Sequence, residues 1–383
     1  MKDYPVWPTY DEDEVEAAAE VLRSGKVNYR TGPQGKTFEA DYGAMHGMWA
    51  VSVANGTLAL ELALAALEIG PGDEVIAPCR TFVASASAIA MRGAKPVIAD
   101  VDLASGNLSA ATIEPHLTER TKAVVPVHMG GLPCEMDPIL KLAQKHGLKV
   151  IEDCAQAHGA HYKDKIVGSL GDAAAFSFCQ DKIMTTGGEG GMTLFREEGV
   201  WEKARSFRDH GKDYPLLASL SGSNSFPWPH RSIGSNYRLT EMQSAIGRIQ
   251  LQKLAGWLEK RRANALLFEQ TVQGHPAIQT IPIPDHMTHA HYRFYGHFNR
   301  GWDRDVILAK VRAAGVPMER GVCGQIQKEK AFAAWPDIHE REYPGGASWH
   351  DHGFALPTHP TLQESHIRCM ADVLLDVLDS CEP

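Results

Sequence analysis

The sequence predicts an α/β fold in which a large, mostly parallel sheet lies between helices and is followed by a smaller α+β domain. Short strand-like runs alternate with helical segments between residues 51 and 178. These runs are continuously apolar, which is typical of parallel strands buried on both faces. Glycines follow the helical segments, at positions where helices commonly end. We therefore expect a large domain over residues 1–250 and a small C-terminal domain over residues 251–383.

The elements of the first half can be assigned in order. Strands are predicted in the runs DEVIAP, AKPVIADVD, KAVVPVHM and LKVIEDC, at 73–78, 94–102, 122–129 and 148–154. The helices between them are predicted at 56–70, 81–93 and 136–147. Ligands of such sheets bind beyond the carboxyl ends of the strands, so functional residues should follow each run.

The second half begins with a long helix predicted at 241–270, because Thr240 and Gln243 form a capping-box pattern before it. A connector at 278–287, a strand at 291–298 and helices at 304–315 and 362–380 follow. Thr361 and Glu364 indicate a second capping box for the last helix.

Composition excludes several classes of protein. The chain has 383 residues, 44% of them hydrophobic, a net charge of −9 and no long basic run, so we expect no nucleic-acid partner. No segment has the uninterrupted apolar length of a membrane span or signal peptide, and we expect a cytoplasmic protein without a membrane partner. The seven cysteines contain no Cys-x-x-Cys pair, which favours reduced thiols, mostly in the core, over disulfides or zinc.

Lys182 follows the apolar run DAAAFSF and precedes a glycine-rich turn. A buried ammonium costs several kcal/mol unless it is paired or covalently used. A desolvated lysine loses its proton readily and can act as a nucleophile toward a carbonyl carbon. The alternative is a lysine at a strand end that points into water.

Asp153 ends the predicted strand at 148–154, where a buried carboxylate needs a cationic partner. The protonated ring nitrogen of a bound cofactor would be such a partner. The alternative is that Asp153 caps a helix that starts at residue 154. Gln156 would then complete a capping box, or would instead donate a hydrogen bond to the cofactor.

Residues Asn55, Gly56 and Thr57 join a strand to a helix, where free N–H groups and the helix dipole can bind a phosphate. An ordinary helix cap is the alternative. Ser177 could add a hydroxyl to the same phosphate, and Phe82 could stack on a planar ring or belong to the core.

Two further patterns do not predict a ligand site. The segment TTGGEGG at 185–191 lacks the sequence of a nucleotide-binding loop and is predicted to be a backbone turn. The histidines at 350, 352 and 359 match no standard metal-site spacing, so no metal is predicted.

Taken together and in their order along the chain, the segments quoted below resemble the DegT/StrS family of sugar aminotransferases, which are fold-type I enzymes that use pyridoxal 5'-phosphate (PLP). The resemblance covers nearly the whole chain, and the segments around Lys182 and NYRLTE are the most diagnostic. It rests on TGPQGKTFE (31–39), NGTLALELAL (55–64), GDEVIAP with TFVAS (72–85), PVHMGGLPCEMD (126–137), IEDCAQAHGA (151–160), GDAAAFSFCQDKIMTTGGEGGM (171–192), GSNYRLTEMQSAIGRIQL (234–251) and LPTHP (356–360).

The resemblance implies a role for each site residue. Lys182 would form the internal aldimine with PLP and move the proton during catalysis. Asp153 would pair with the pyridine nitrogen, Gln156 would meet the phenolic oxygen, and Phe82 would cover the ring. The phosphate would be bound by Gly56, Thr57 and Ser177, with Asn236 reaching it from the neighbouring subunit of a homodimer with shared active sites.

The expected reaction moves an amino group from glutamate or glutamine to a keto sugar linked to a nucleoside diphosphate, through pyridoxamine phosphate. Relatives that dehydrate sugars carry histidine at the position of Lys182, so lysine favours transamination. Alternatives are a cyclitol aminotransferase, a PLP-dependent sugar dehydratase, or a sensor that binds PLP or a sugar without turnover. Candidates for acceptor contacts are the segment 321–332 and the residues Arg30, Lys36, Arg231 and His359. Two departures from the family are the extra glycine in TTGGEGG and Phe82 in place of tryptophan or tyrosine.

Overall fold

The computed structural model of the chain describes residues 4–219 and 229–381. The α-helices of this part are α1 Glu12–Ser24, α2 Gln34–His46, α3 Gly56–Ala66, α4 Ala84–Met91, α5 Ala110–Ile113, α6 Met136–His146, α7 Glu198–Arg208, α8 Tyr214–Ser219, α9 Glu241–Val272, α10 Arg304–Ala313, α11 Pro336–His339, α12 Pro344–His352 and α13 Glu364–Asp379. Its strands are β1 Trp49–Val53, β2 Glu74–Pro78, β3 Lys95–Ala99, β4 Thr121–Val124, β5 Lys149–Asp153, β6 His161–Tyr162, β7 Lys165–Ile166, β8 Ala173–Ser177, β9 Gly191–Phe195, β10 Ile278–Thr280, β11 Met287–Thr288, β12 Arg293–Phe298 and β13 Gly353–Pro357.

The largest sheet has seven strands in the order β1-β9-β8-β5-β4-β2-β3. Neighbouring strands from β8 to β3 run parallel, and β9 alone runs antiparallel to its two neighbours. The predicted mostly parallel sheet is therefore confirmed. The strand predicted at 122–129 ends at Val124, because Pro126 has no N–H with which to extend the ladder.

Helices cover both faces of this sheet, so every residue of β2, β8 and β9 is buried. One face packs into a core that contains Phe38, Tyr42 and Phe176. The other face packs against the apolar residues of α3 and α4. This double coverage explains why the strands are continuously apolar in sequence.

A second, antiparallel sheet has the order β10-β12-β13. It packs with α9, α10 and α13 around a core of its own that includes Phe268, Phe294 and Phe354. A small third sheet joins β11 to β6 and β7. The division into residues 1–250 and 251–383 stays a prediction, and α9 runs continuously across residue 250.

The two predicted capping boxes have different outcomes. The Thr240 side chain accepts from the Gln243 N–H and Gln243 accepts from the Thr240 N–H, which confirms the first. The second is wrong, because α13 starts at Glu364 and Gln363 is its N-cap. The Thr361 hydroxyl donates instead to the Val6 carbonyl, 3.1 Å away. A tertiary contact with the N-terminal segment therefore replaces the local cap.

All seven cysteines are unpaired, as expected. Only Cys79, Cys134 and Cys154 are buried, so fewer of them belong to the core than the sequence predicts. Across the described ranges, every helix is too short or too polar to traverse a lipid bilayer.

Candidate active site

A cavity of about 760 Å³ lies beyond the carboxyl ends of the central strands. Its position follows from the fold, because β5 ends at Asp153, β8 ends at Ser177 and α3 begins at Gly56. Seven of the eight predicted site residues line it, namely Gly56, Thr57, Phe82, Asp153, Gln156, Ser177 and Lys182. The eighth, Asn236, is exposed and lies outside this lining.

Lys182 lies in the loop after β8, and its side chain is only 17% exposed. Its Nζ lies 3.3 Å from Asp181 Oδ1 and 5.1 Å from the centre of the Tyr292 ring. The Tyr292 hydroxyl donates to the other oxygen of Asp181. Trp7 Nε1 donates to the Lys182 carbonyl at 2.8 Å. The amine therefore faces the cavity beside a counter-charge rather than bulk water.

Asp153 is buried at the end of β5. Its Oδ2 accepts from Ser85 Oγ at 2.7 Å and its Oδ1 accepts from the Ala155 N–H at 3.1 Å. Burial raises the pKa of this carboxyl, and its two hydrogen bonds and the charges of His128 and Lys182 only partly oppose that effect. No helix starts at residue 154, since residues 154–160 form turns. The alternative of Asp153 as a helix cap is therefore wrong.

Gln156 lies in the turn after Asp153, so its capping-box alternative is also wrong. Its Oε1 accepts from the Gly130 N–H at 2.8 Å. Because a backbone N–H can only donate, this contact fixes which end of the carboxamide is oxygen. The amide NH₂ is then available as a donor in the cavity that Gln156 lines.

The first turn of α3 forms another wall of the cavity. Asn55 caps the helix by accepting from the Leu58 N–H at 2.9 Å. The remaining N–H groups at a helix start have no partner within the helix, and the dipole there favours an anion. A Cβ at Gly56 would lie 2.6 Å from Ser177 Cβ, so only glycine lets the two segments approach this closely.

Phe82 lines the same cavity with a side chain that is 63% exposed. The ring belongs to the cavity rather than the core, which excludes the core alternative. The glycine segment at 185–191 is a backbone turn, as predicted. Gly187 and Gly188 have φ of +82° and +123°, in the region that favours glycine, and the Gln180 N–H donates to the Gly188 carbonyl at 3.0 Å.

Four residues near the reactive groups escape the sequence analysis. Asp181 and Tyr292 surround Lys182, Ser85 holds Asp153, and Trp7 holds the Lys182 backbone. Asp181 offered a signal, since an acid directly precedes the lysine. Trp7 offered none, because it lies 175 residues from Lys182 in the chain.

These groups fit PLP. Asp153 is a buried carboxylate that forms no ion pair with any described residue, which suits the pyridinium nitrogen, and the Gln156 amide suits the phenolic oxygen. The start of α3 with Ser177 suits the phosphate, and Lys182 suits the aldehyde.

Comparison with known proteins gives a consistent result. Residues 8–374 match the sequence profile of the DegT/DnrJ/EryC1/StrS aminotransferase family. The chain is 37% identical to a UDP-N-acetyl-3-dehydro-alpha-D-glucosamine 3-aminotransferase of Acidithiobacillus ferrooxidans, over 91% of this chain and 89% of that protein. It is 38% identical to a GDP-perosamine synthase of Caulobacter vibrioides, over 88% of each. The crystal structure of an aminotransferase from Psychrobacter cryohalolentis is similar with a TM-score of 0.96 and 40% identity, over 99% of both chains.

Proposed function

Because the chain belongs to the DegT/DnrJ/EryC1/StrS aminotransferase family, we propose that it transfers an amino group from glutamate or glutamine to the keto group of a nucleotide-linked sugar. The predictions of the family, of a fold-type I transaminase and of PLP as the cofactor are confirmed. The enzyme is a sugar aminotransferase. The donor, the acceptor sugar and the roles of the individual residues are the content of the proposal.

The observation that carries the proposal is a mostly buried lysine beside a carboxylate, in one cavity with a second, buried carboxylate. Bound PLP supplies an electron sink for the carbon that loses its proton. Lys182 Nζ would hold the cofactor and, once free, would move the proton. Asp181 and Tyr292 lie where they can hold that amine while it is free.

The remaining residues orient and hold the cofactor. Asp153 would keep the ring nitrogen protonated, and Ser85 fixes its carboxylate by a hydrogen bond. Gln156, whose oxygen already accepts from Gly130, would donate to the phenolic oxygen, and the exposed ring of Phe82 would cover the cofactor ring. Gly56, Thr57 and Ser177, which line the cavity, would bind the phosphate. Hydrogen bonds from fixed groups of this kind need no reorganisation during the reaction.

Two of the relatives support the proposed acceptor class, since one is named for a UDP-linked sugar and another for a GDP-linked sugar. Gly321 and Val322, from the segment predicted on the acceptor side, line the cavity. We further propose a homodimer in which Asn236 completes the phosphate site of the neighbouring subunit. Its exposure, and its absence from the cavity lining of its own chain, support that role.

The visible absorbance of the PLP-loaded protein tests the lysine and the donor. We expect a borohydride-reducible band in the wild type and in Lys203→Ala, whose surface lysine pairs with Glu68, and none in Lys182→Ala. Glutamate should bleach the band and release 2-oxoglutarate, and keto sugars on UDP and GDP should then restore it. A band in Lys182→Ala that matches the wild type would refute the assignment of the lysine. Bleaching by no amino donor would favour the dehydratase or the sensor.

Mixing Lys182→Ala subunits with Asn236→Ala subunits tests the shared site. A mixed dimer has one site with both residues intact if Asn236 acts across the interface. Activity should therefore return on mixing. If Asn236 acts in its own subunit, neither site is complete and no activity returns.

A further inference from the structure

A second cavity, of about 300 Å³, adjoins the one that holds the cofactor residues. The two cavities share four wall residues, Asp181, Tyr292, Arg293 and Glu319. The other walls of the second cavity come from the N-terminal segment 4–7, from the segment 357–359, and from Pro317, Leu362 and Arg261. The second cavity is thus a recess next to Lys182, and the roles proposed for the cofactor residues do not involve it.

Arg261 is the unusual group in this recess, since its side chain is only 1% exposed. Its Nη1 donates to the Tyr292 carbonyl at 3.1 Å, whereas its Nε and Nη2 have no hydrogen-bond partner among residues 4–219 and 229–381. The guanidinium lies 5.1 Å from the centre of the Trp7 ring. A buried guanidinium with two unpaired donor atoms costs free energy, and buried donors in native proteins nearly always have a partner.

The charges around the recess leave Arg261 uncompensated. Arg293 pairs with Glu319 at 2.6 Å, and Lys182 pairs with Asp181 at 3.3 Å. Within the described ranges, Arg261 has no carboxylate at ion-pair distance. Burial and the neighbouring Arg261 and Arg293 lower the pKa of His359 to about 3, so this imidazole is neutral and adds no charge. Among the described cations that line this recess, Arg261 is therefore the one without a carboxylate partner.

We propose that this recess binds the side-chain carboxylate of the amino donor, with Arg261 as the group that takes the anion. Tyr292 connects the two ends of the site, because its ring lies over Lys182 Nζ and its carbonyl accepts from Arg261. A donor with its amine at Lys182 can extend past Tyr292 toward Arg261. This inference rests on the proposed transamination and sharpens it, because glutamate carries a side-chain carboxylate and glutamine does not. The donor is then glutamate.

Calorimetry with glutarate, a dicarboxylate without an amino group, tests the recess directly on the PLP-loaded enzyme. We expect glutarate to bind to the wild type, and at least tenfold more weakly to Arg261→Gln, since a hydrogen-bonded charge pair is lost. Arg262→Gln is the matched control. Arg262 donates to the carbonyls of His289 and Gly159 and does not line the recess. Equal affinity of wild type and Arg261→Gln, or no binding to either, overturns the proposal.

A variant at the rim covers the case in which Arg261→Gln does not fold. Val6 lines the recess and is 72% exposed, so its substitution should leave the fold intact. Val6→Glu adds a carboxylate to the wall of the recess that Arg261 also lines, and should weaken glutarate binding, whereas Val6→Gln should not. Equal glutarate affinity of these two variants contradicts the proposal.

Inorganic phosphate as a competitor separates a donor site from a general anion site. We expect phosphate to displace glutarate poorly, and displacement at equal affinity would assign the recess to free anions instead. The ratio of glutamate to glutamine efficiency should fall at least tenfold in Arg261→Gln. Because glutarate binding needs no turnover, failure of the recess and failure of the transamination are distinguishable.

Discussion

Glu152 and Asp153 are adjacent buried carboxylates at the end of β5, yet their surroundings differ completely. Glu152 accepts four hydrogen bonds, from His128 Nε2 and from the N–H groups of Gly168, Leu170 and Gly171, at 2.7 to 3.1 Å. Asp153 accepts two, from Ser85 and Ala155, and it lines the cavity. Successive side chains of a strand point to opposite faces, so one carboxylate enters the protein interior and the other enters the site.

The number of hydrogen-bond donors separates a buried acid with a structural role from one with a functional role. Burial alone would raise the pKa of Glu152, but the donors around it, His128 first, outweigh burial and lower that pKa. At Asp153 burial prevails and the pKa is raised. The carboxylate with fewer hydrogen-bond donors, Asp153, is therefore the one that needs a cationic ligand.

The largest expected effect comes from Asp153→Asn, which should reduce kcat/KM by about 10³-fold, since the charge that holds the cofactor ring protonated is lost. The measurement is the rate of bleaching by glutamate in single-turnover experiments. Glu152→Gln, one residue away, is the control and should retain a rate within about twofold, per molecule of loaded enzyme, because it contacts no reacting atom. Equal losses in both variants would show that the two carboxylates do not differ in role.

Glu152→Gln should instead destabilise the fold, by about 3 kcal/mol, because its NH₂ group would face a backbone N–H donor in a buried site. Urea unfolding at neutral pH measures this change. The carboxylate has a lowered pKa, so its stabilisation is present above the ordinary value of about 4.3 and is lost as pH falls through the folded pKa. The stability gap between wild type and variant should thus shrink in acid. A gap that does not change with pH would mean that the charge of Glu152 is not what stabilises this turn.

The site residues that the sequence predicts lie at the ends of apolar runs, whereas those that it misses form contacts between distant segments. Asp153, Ser177 and Gly56 end or follow apolar runs, so the sheet architecture alone places them at one edge. Lys182 stands out as a charge after such a run. The assignment of roles still needed the family resemblance, because Asp153 as a helix cap also fits the local sequence.

The supporting contacts could not be predicted, since they join residues far apart in the chain. Trp7 reaches the Lys182 carbonyl, Ser85 reaches Asp153 across 68 positions, and Arg261 adjoins Tyr292. The wrong capping box at Thr361 has the same cause, because its hydroxyl bonds to Val6 at the other end of the chain. Local patterns predict elements and their ends, whereas contacts of this kind depend on how the elements pack.

Ser85→Ala tests whether Asp153 needs a second residue to position its carboxylate, and its expected effect on kcat is smaller than that of Asp153→Asn. The Ser85 hydroxyl fixes the Asp153 carboxylate, and Thr81 lies 2.8 Å behind it. Losing one hydrogen bond to a charged group should cost about 1.5 kcal/mol, roughly a tenfold fall in kcat. Thr112→Ala is the control, a hydroxyl that bonds only within the short helix α5 and its cap. If Ser85→Ala keeps the wild-type kcat, Asp153 needs no second residue to position it.

The smallest expected effect is on thermal stability, because Asp153→Asn should stabilise the PLP-free protein instead of destabilising it. In the PLP-free protein, Asp153→Asn should raise Tm by roughly 1–3 °C, because it removes an ionised carboxylate that burial disfavours. The amide can still accept from Ala155 and can donate to Ser85 once that hydroxyl turns to Thr81. Since the folded pKa is raised, the cost of ionisation is full above that pKa and absent below the ordinary value of about 3.9, so the gain in Tm should fade in acid.

Adding PLP should reverse the order of the two Tm values, because only the carboxylate then gains a cationic partner. A variant that is less stable than the wild type without PLP would show that Asp153, like Glu152, stabilises the fold itself.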